Sequence, residues 1–401
     1  MSLFDDLPEP ELSNTAIVEN TEDQLQKDKD ETSCTTATAL LPLISCVVAR
    51  KGERPEMQDA HVCIDDLSVY FRNFALNEVC RLSYYAVFDG HGGCKASVYA
   101  SKRLHLYVCS RLPRSGLAPI EKDIKRVLYD SFKKTDEDFL REASNQRPHW
   151  RDGSTASTVL IVNNTMYIAN LGDSKVVLGR MVRDLHPVSS DNGDSNKSEE
   201  SHSGSYSLTA VCLTRDHNPM DYEERQRIQA SGASVQNGRV NNILEVSRSF
   251  GDYQFKKQGV TCIPDVKKCQ LTPNDRFLLI ACDGLWKSFP PDEAVALTNR
   301  LLLKEFEALS SNGSQSDLSS NPPTCGFTQR HLESVCSHLV NEAVLRMSGD
   351  NVTCILLVFP DAFKSPNSVS PASPVVKDPR LAKVNSEDTC TEPPPKQSRI
   401  S

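Results

Sequence analysis

Tyr84-Tyr85-Ala86-Val87-Phe88-Asp89-Gly90-His91-Gly92-Gly93 decides how this chain is read. Five aromatic or apolar residues in a row predict a short buried strand. The strand ends on a carboxylate, a glycine and an imidazole, so it carries an anion and a proton carrier to the mouth of a sheet. The glycines allow a sharp bend and leave the Gly90 carbonyl approachable. An anionic oxygen beside a carbonyl oxygen suits a hard divalent cation. Taken alone, the stretch also reads as a plain strand closed by an Asp-Gly turn. Repetition favours the first reading. Asp173 follows the run Met166 to Leu171, Asp283 follows Arg276 to Cys282, and Asp350 precedes Val352 to Phe359.

Bunched carboxylates repel one another unless a cation holds them together. With so little patterned cysteine or histidine, oxygen ligands point to magnesium or manganese rather than zinc. Two such ions bind phosphoryl oxygens and activate water. Arg54, in the loop Lys51 to Asp59, can grip a phosphate dianion. His91 can protonate a leaving oxygen. Together these parts predict metal-assisted phosphoester hydrolysis.

Outward from this centre, Ile44 to Arg50 and Ala60 to Ile64 read as strands. After Gly93 the period changes. Ala96, Ala100, Leu104, Tyr107 and Val108 share one helical face, and Ile120, Ile124, Val127, Leu128, Phe132 and Phe139 share another. Two consecutive amphipathic helices must cover a sheet. Strands return at Ser154 to Val162 and Met166 to Leu171, joined at Asn163-Asn164, and at Lys175 to Arg180. Asp221 is expected to cap a short helix ending at Gly232, and Pro290-Pro291 to open another running to about Leu309. A last helix, about Thr328 to Met347, leads to the closing strand. Residues 1–39 read as an acidic disordered tail, 40–362 as the folded domain and 363–401 as a Pro/Ser-rich disordered tail. Disordered insertions are expected at about 184–205 and 310–323. Leu3-Phe4-Asp5-Asp6-Leu7-Pro8 could serve as a docking peptide, and Ser365-Pro366, Ser370-Pro371 and Ser373-Pro374 as phosphorylation sites.

The 401 residues carry a net charge of −8, which argues against a nucleic-acid surface. The 14 cysteines include no CxxC pair, and the start, acidic from Asp5, has no signal-peptide pattern. Reduced thiols in a soluble intracellular protein are therefore expected. The longest apolar stretch, Ala39 to Ala49, contains Pro42 and is too short to span a bilayer.

Several motifs in order resemble the metal-dependent serine/threonine phosphatases of the 2C type. They are Arg54 to Asp59 with His61, Asp89 to Gly93, Gly153-Ser154-Thr155-Ala156, Gly172-Asp173-Ser174, Asp216-His217, Val246 to Ser249 with Gly251-Asp252, Asp283-Gly284, and Ser348 to Thr353. The likeness spans about residues 44 to 360. It implies an α+β fold: a four-layer α-β-β-α sandwich of two packed antiparallel sheets flanked by helices, with a dinuclear metal cleft at one end. It also implies two Mg2+ or Mn2+ ions, with a weaker third in some members. Asp89 would bridge both ions, the Gly90 carbonyl would bind the second, and Asp283 and Asp350 the first. Asp173 would join Asp283 at the third, with Asp59 and Gln58 completing the metal set. Arg54 and Arg248 would bind substrate, and His91 would be the general acid.

By the same resemblance, the substrates would be phosphoproteins in kinase signalling. The opening residues, Met57 to His61 and Leu244 to Ser249 extend the likeness to the integrin-linked kinase pathway. A cytoplasmic monomer is expected, with the nucleus as a second compartment. Where the family often has glutamate, this chain has Gln58, which keeps an oxygen but loses a charge. Lys175, Asn218 and Asn242 replace a usual arginine, lysine and glycine, and asparagine tolerates positive φ best. Two alternatives stay open: a pseudo-phosphatase acting as a binding module, and a phosphohydrolase of small molecules.

Overall fold

The strand Leu82–Phe88 is buried along its whole length, and its alternating side chains serve two cores. Tyr84, Ala86 and Phe88 face helices, whereas Tyr85 and Val87 face a second sheet. A strand covered on both faces has no polar side, which is why the sequence here is an unbroken apolar run. The computed structural model describes residues 39–71, 78–183, 206–312 and 326–364, the side chains of 310–312 excepted.

Ten strands build the sandwich: β1 (Ile44–Arg50), β2 (Ala60–Ile64), β3 (Leu82–Phe88), β4 (Ala156–Val162), β5 (Thr165–Leu171), β6 (Lys175–Arg183), β7 (Tyr206–Cys212), β8 (Asp265–Gln270), β9 (Asp275–Ala281) and β10 (Val352–Val358). They form two five-stranded antiparallel sheets, in the orders β8-β5-β4-β3-β2 and β1-β10-β9-β6-β7. Between the sheets, Tyr85, Val87, Val159 and Ile161 share one core with Leu278, Ile280, Ile355 and Leu357. Helices α1 (Lys95–Arg111) and α2 (Leu117–Asn145) cover the first sheet. Helix α3 (Tyr222–Ala230) lies in the segment between β7 and β8. Helices α4 (Pro291–Asn312) and α5 (Gln329–Leu345) cover the second sheet. The result is the expected α-β-β-α sandwich, its helical stripes turned inward at Ala100, Leu104, Ile120, Ile124 and Phe132.

Asn163 takes φ +54° in the β4–β5 turn, and Asn242 takes φ +59°, the conformation expected for asparagine in place of glycine. Three details differ from the sequence reading. Asp221 stands at the N-cap position of α3 but does not cap it; its Oδ2 instead accepts a hydrogen bond from Arg215 Nη2 at 3.0 Å. Helix α4 runs to Asn312, so the first residues of the expected 310–323 loop are helical. The packed chain also continues one residue past 362: the turn Pro360–Phe363 buries Phe363 edge-on against Phe327, 5.2 Å between ring centroids. The acidic peptide near Leu3, the 184–205 insertion and the Ser-Pro sites lie outside the described residues.

Candidate active site

Strand β3 delivers Asp89 to one end of the sandwich, where the next two residues pair with Gly153–Ser154, and those in turn with Phe250–Gly251. Asp89 is fixed from both sides by Thr155, whose Oγ1 accepts from the Asp89 N–H at 3.1 Å and whose N–H donates to the Asp89 carbonyl at 2.9 Å. Gly90 has no room for a side chain: a Cβ there would lie 2.2 Å from the Gln58 carbonyl oxygen. That contact brings the 51–59 loop over the metal-binding end. Asn351 holds the same loop, donating from Nδ2 to the carbonyls of Lys51 (2.7 Å) and Glu56 (3.0 Å) and accepting from the Gln58 N–H at 2.8 Å. Asp283 opens the one-turn helix that follows β9, and Asp350 stands just before β10.

Arg54, Gln58, Asp89, Gly90, His91, Asp173, Asp283 and Asp350 thus line one cleft of about 510 Å³. Asp59 lies behind it. Its carboxylate, that of Asp89 and the Cys282 thiol have ligand atoms within 4.8 Å of one another, and Thr353 Oγ1 donates to Asp59 Oδ2 at 2.7 Å. Burial pushes the Asp59 carboxyl up to about 6, with the charges of Asp350 and Asp283 adding to it. Burial and the Asp283 and Asp216 charges push Asp173 up to about 7. Asp89 is held well above the usual carboxylate range by burial and then by Asp59, Asp283, Asp173 and Asp350. Carboxylates gathered at this cost to their ionisation are the donor set of a hard divalent cation, so these residues fit the expected metals.

Three cationic side chains that the sequence reading did not place here also line the cleft: Lys287, Arg151 and Arg239. Lys287 Nζ lies 2.6 Å from Asp283 Oδ2 and 3.3 Å from Asp350 Oδ2. Burial opposes its charge, but Asp283 and Asp350 outweigh burial and raise its pKa. Its position was legible in principle, because any helix starting at Asp283 puts residue 287 on the same face. Arg54 donates from Nη2 to Asp350 Oδ2 at 2.9 Å and from Nε to the Gly349 carbonyl at 3.1 Å.

His91 meets a partner that the sequence motif contained without a role. Its Nε2 lies 2.7 Å from Asp252 Oδ2, and Ser249 Oγ donates to the same oxygen at 2.6 Å. Burial alone would lower the His91 pKa; the Asp252 carboxylate overcomes this and raises it.

Arg248 is not in the cleft. It binds Glu224 through Nε (3.1 Å) and Nη2 (2.6 Å) and Asp265 through Nη1 (2.8 Å). Arg248, expected at the substrate, instead joins an ion-pair cluster that ties α3 to β8 and stands outside the residues that line the cleft. Lys175 pairs with Asp216, and Asn218 Oδ1 accepts from the Met220 N–H at 2.8 Å.

A helix-covered double sheet whose end gathers acidic side chains in one cleft, with cations beside them, is the architecture of a metal-dependent phosphohydrolase. The comparisons with known proteins narrow the class. The family Protein phosphatase 2C matches residues 46–352. The integrin-linked kinase-associated serine/threonine phosphatase 2C of Homo sapiens is 44% identical over 324 residues, covering 81% of this chain and 74% of that one. The probable protein phosphatase 2C 8 of Arabidopsis thaliana is 36% identical over 316 residues, covering 78% of each. A solved serine-threonine phosphatase 2C from Toxoplasma gondii shares the fold at a TM-score of 0.54 and 18% identity, over 80% of this chain and 96% of that one. The chain belongs to the protein phosphatase 2C family and is a metal-dependent serine/threonine protein phosphatase.

Proposed function

We propose that the cleft binds two Mg2+ or Mn2+ ions and hydrolyses phosphoserine and phosphothreonine in proteins of the integrin-linked kinase pathway. Asp89, Asp283, Asp350 and the Gly90 carbonyl would hold the ions, with Asp59 and Gln58 behind them and Asp173 available to a weaker third. Bound there, the ions supply Lewis acidity toward phosphoryl oxygen and an activated water. The observation that carries this reading is the convergence of Asp89, Asp173, Asp283 and Asp350 on one cleft that also holds His91.

The chain's own residues do the rest. Arg54 exchanges its hold on Asp350 for the substrate phosphate, a fork-shaped donor meeting a planar pair of oxygens. Asp252 occupies His91 Nε2 and keeps a proton on the ring, leaving Nδ1 to deliver a proton to the departing serine or threonine oxygen. Lys287 and Arg54 put cationic donors beside the carboxylates of the cleft, where they favour a charged phosphate ester over a neutral one. The proposed setting is a cytoplasmic monomer that also enters the nucleus, free of membrane, and the net charge of −8 argues against a nucleic-acid partner. No described helix is long and apolar enough to cross a membrane. The link to integrin-linked kinase rests on the names of relatives that are 44% identical.

The test is phosphate release from a phosphothreonine peptide with manganese, with excess chelator, and with nucleoside phosphates in place of the peptide. Manganese-dependent release confined to the peptide supports the reading. Release that survives chelation, or a preference for nucleotides, would overturn it.

A further inference from the structure

We propose that the apolar hollow beside the catalytic cleft, walled by Leu140, Ser144, Trp150 and Tyr253, takes a large aliphatic or aromatic side chain of the phosphoprotein substrate. The inference rests on the phosphatase reading above and adds a specificity subsite to it. The hollow has a volume of about 390 Å³ and mostly apolar walls, the size and lining of a site built for a small group. The C-terminal end of α2 supplies Leu140 and Ser144, the loop after it supplies Trp150, and Tyr253 follows the His91 partner Asp252 directly.

Two features mark the hollow as a built surface. Trp150 is braced: it stacks on Phe139 at 6.2 Å between centroids, and Lys95 Nζ lies 5.5 Å from its ring centre. Tyr253, which lines the same hollow, is 63% exposed, and its side chain has no hydrogen bond or ring partner among the described residues. A braced indole and an unpartnered phenol lining one hollow leave apolar surface uncovered, and such surface commonly marks a binding site.

What identifies the occupant is the shared rim. Arg151 and Gln254 line both the hollow and the catalytic cleft. A peptide whose phosphate lies in the cleft therefore crosses Arg151 on its way to the hollow. Arg151 is exposed and has no ion pair among the described residues, so it is available to a carboxylate or carbonyl of that peptide. The preferred substrate is then a phosphopeptide with a bulky apolar residue a few positions from the phosphorylated one and a polar or acidic residue between them.

The experiment uses the full chain with manganese and a set of phosphothreonine peptides built on alanine, with one phenylalanine moved from four residues before the phosphothreonine to four after it. The readout is the ratio of kcat/KM for each phenylalanine peptide to the all-alanine peptide, measured within each protein, so that a lower yield of folded enzyme does not alter it. Wild type should show a preference of about tenfold at one position or two adjacent ones. The ratio should fall to about one in Tyr253→Ser, which removes a wall, and in Ser144→Trp, which fills the hollow from an exposed helical position. Turnover of an aryl phosphate should be the same in all three. A wild-type ratio near one at every position, or a preference that survives Ser144→Trp, would overturn the subsite while leaving the phosphatase intact. Absence of turnover on every substrate in the wild type would overturn the phosphatase reading and the subsite with it.

Discussion

The Nε2 nitrogen of His91 lies 2.7 Å from the Oδ2 oxygen of Asp252, a residue 161 positions away in sequence. The Asp252 carboxylate raises the pKa of the imidazole, the direction a general acid needs, despite burial that opposes its charge. His91→Gln should slow hydrolysis of a phosphoserine peptide by about 10² to 10⁴. It should slow an aryl phosphate less, because a nitrophenolate leaves without needing the proton. Asp252→Asn should lower the His91 pKa and move the alkaline limb of the pH–rate profile to lower pH. Both rates at saturating manganese check this; equal losses on the two substrates would remove His91 from proton transfer.

Gly153 gives an independent handle on the same pair. A Cβ at this position would lie 2.1 Å from His91 Nε2 and 2.2 Å from Asp252 Oδ2. Gly153→Ala should therefore separate the two side chains and reproduce the leaving-group dependence of His91→Gln while leaving every ionisable group in place. The check is the ratio of the two rates in Gly153→Ala beside that in His91→Gln.

The carboxylates should make the metal-free protein less stable as pH rises. Asp59 and Asp173 have folded-state values pushed up to about 6 and about 7, whereas in the unfolded chain an aspartate titrates near 4. Between those limits the fold binds protons that the unfolded chain has released, so stability falls as pH rises from about 4 to about 7. Thermal unfolding in excess chelator should show this slope, and saturating manganese should flatten it. Asp89→Asn should reduce the slope, because one repelling charge is gone, and should abolish turnover. Normal turnover in Asp89→Asn would contradict the metal-bridging role.

Arg248 should matter to folding rather than to catalysis. Its side chain is 14% exposed and that of its partner Glu224 is 5% exposed. Removing one member of a buried ion pair typically costs about 3 to 5 kcal/mol. Arg248→Ala should lower stability by less than that, because Arg227 still binds Glu224 through Nη1 (3.0 Å) and Nη2 (2.6 Å), while kcat/KM per folded molecule changes little at a temperature where the variant remains folded. Denaturant titration combined with phosphopeptide kinetics separates the two effects. A large rise in KM without loss of stability would return Arg248 to the substrate site.

Gln58 should set how tightly the metals are held. Its backbone N–H is fixed by Asn351 Oδ1 at 2.8 Å, and the residue lines the cleft beside Asp89 and Gly90. Gln58→Glu adds a carboxylate without moving the loop. The manganese concentration for half-maximal rate should fall, and an unchanged or higher requirement would show that residue 58 does not tune the metals.

The local elements were legible because each rests on neighbouring residues. The unbroken apolar run Leu82 to Phe88 is what a strand covered on both faces requires, and the stripe through Ile120, Ile124 and Phe132 is a helix laid on a sheet. The acidic residues at the strand ends could be named for the same reason: a strand's end is a local property, and Asp89, Asp173 and Asp283 each follow one. Partners across hundreds of residues could not be named from spacing. Asp252 reaches His91 because Phe250–Gly251, Gly153–Ser154 and Gly90–His91 pair side by side. Arg248 is drawn to Glu224 and Asp265 because α3 and β8 present two carboxylates there. Sequence determined which residues carry charge and which strand ends they occupy. The packing of two sheets, which brings those ends into one low-dielectric cleft, decided which charges face one another and which are neutralised elsewhere.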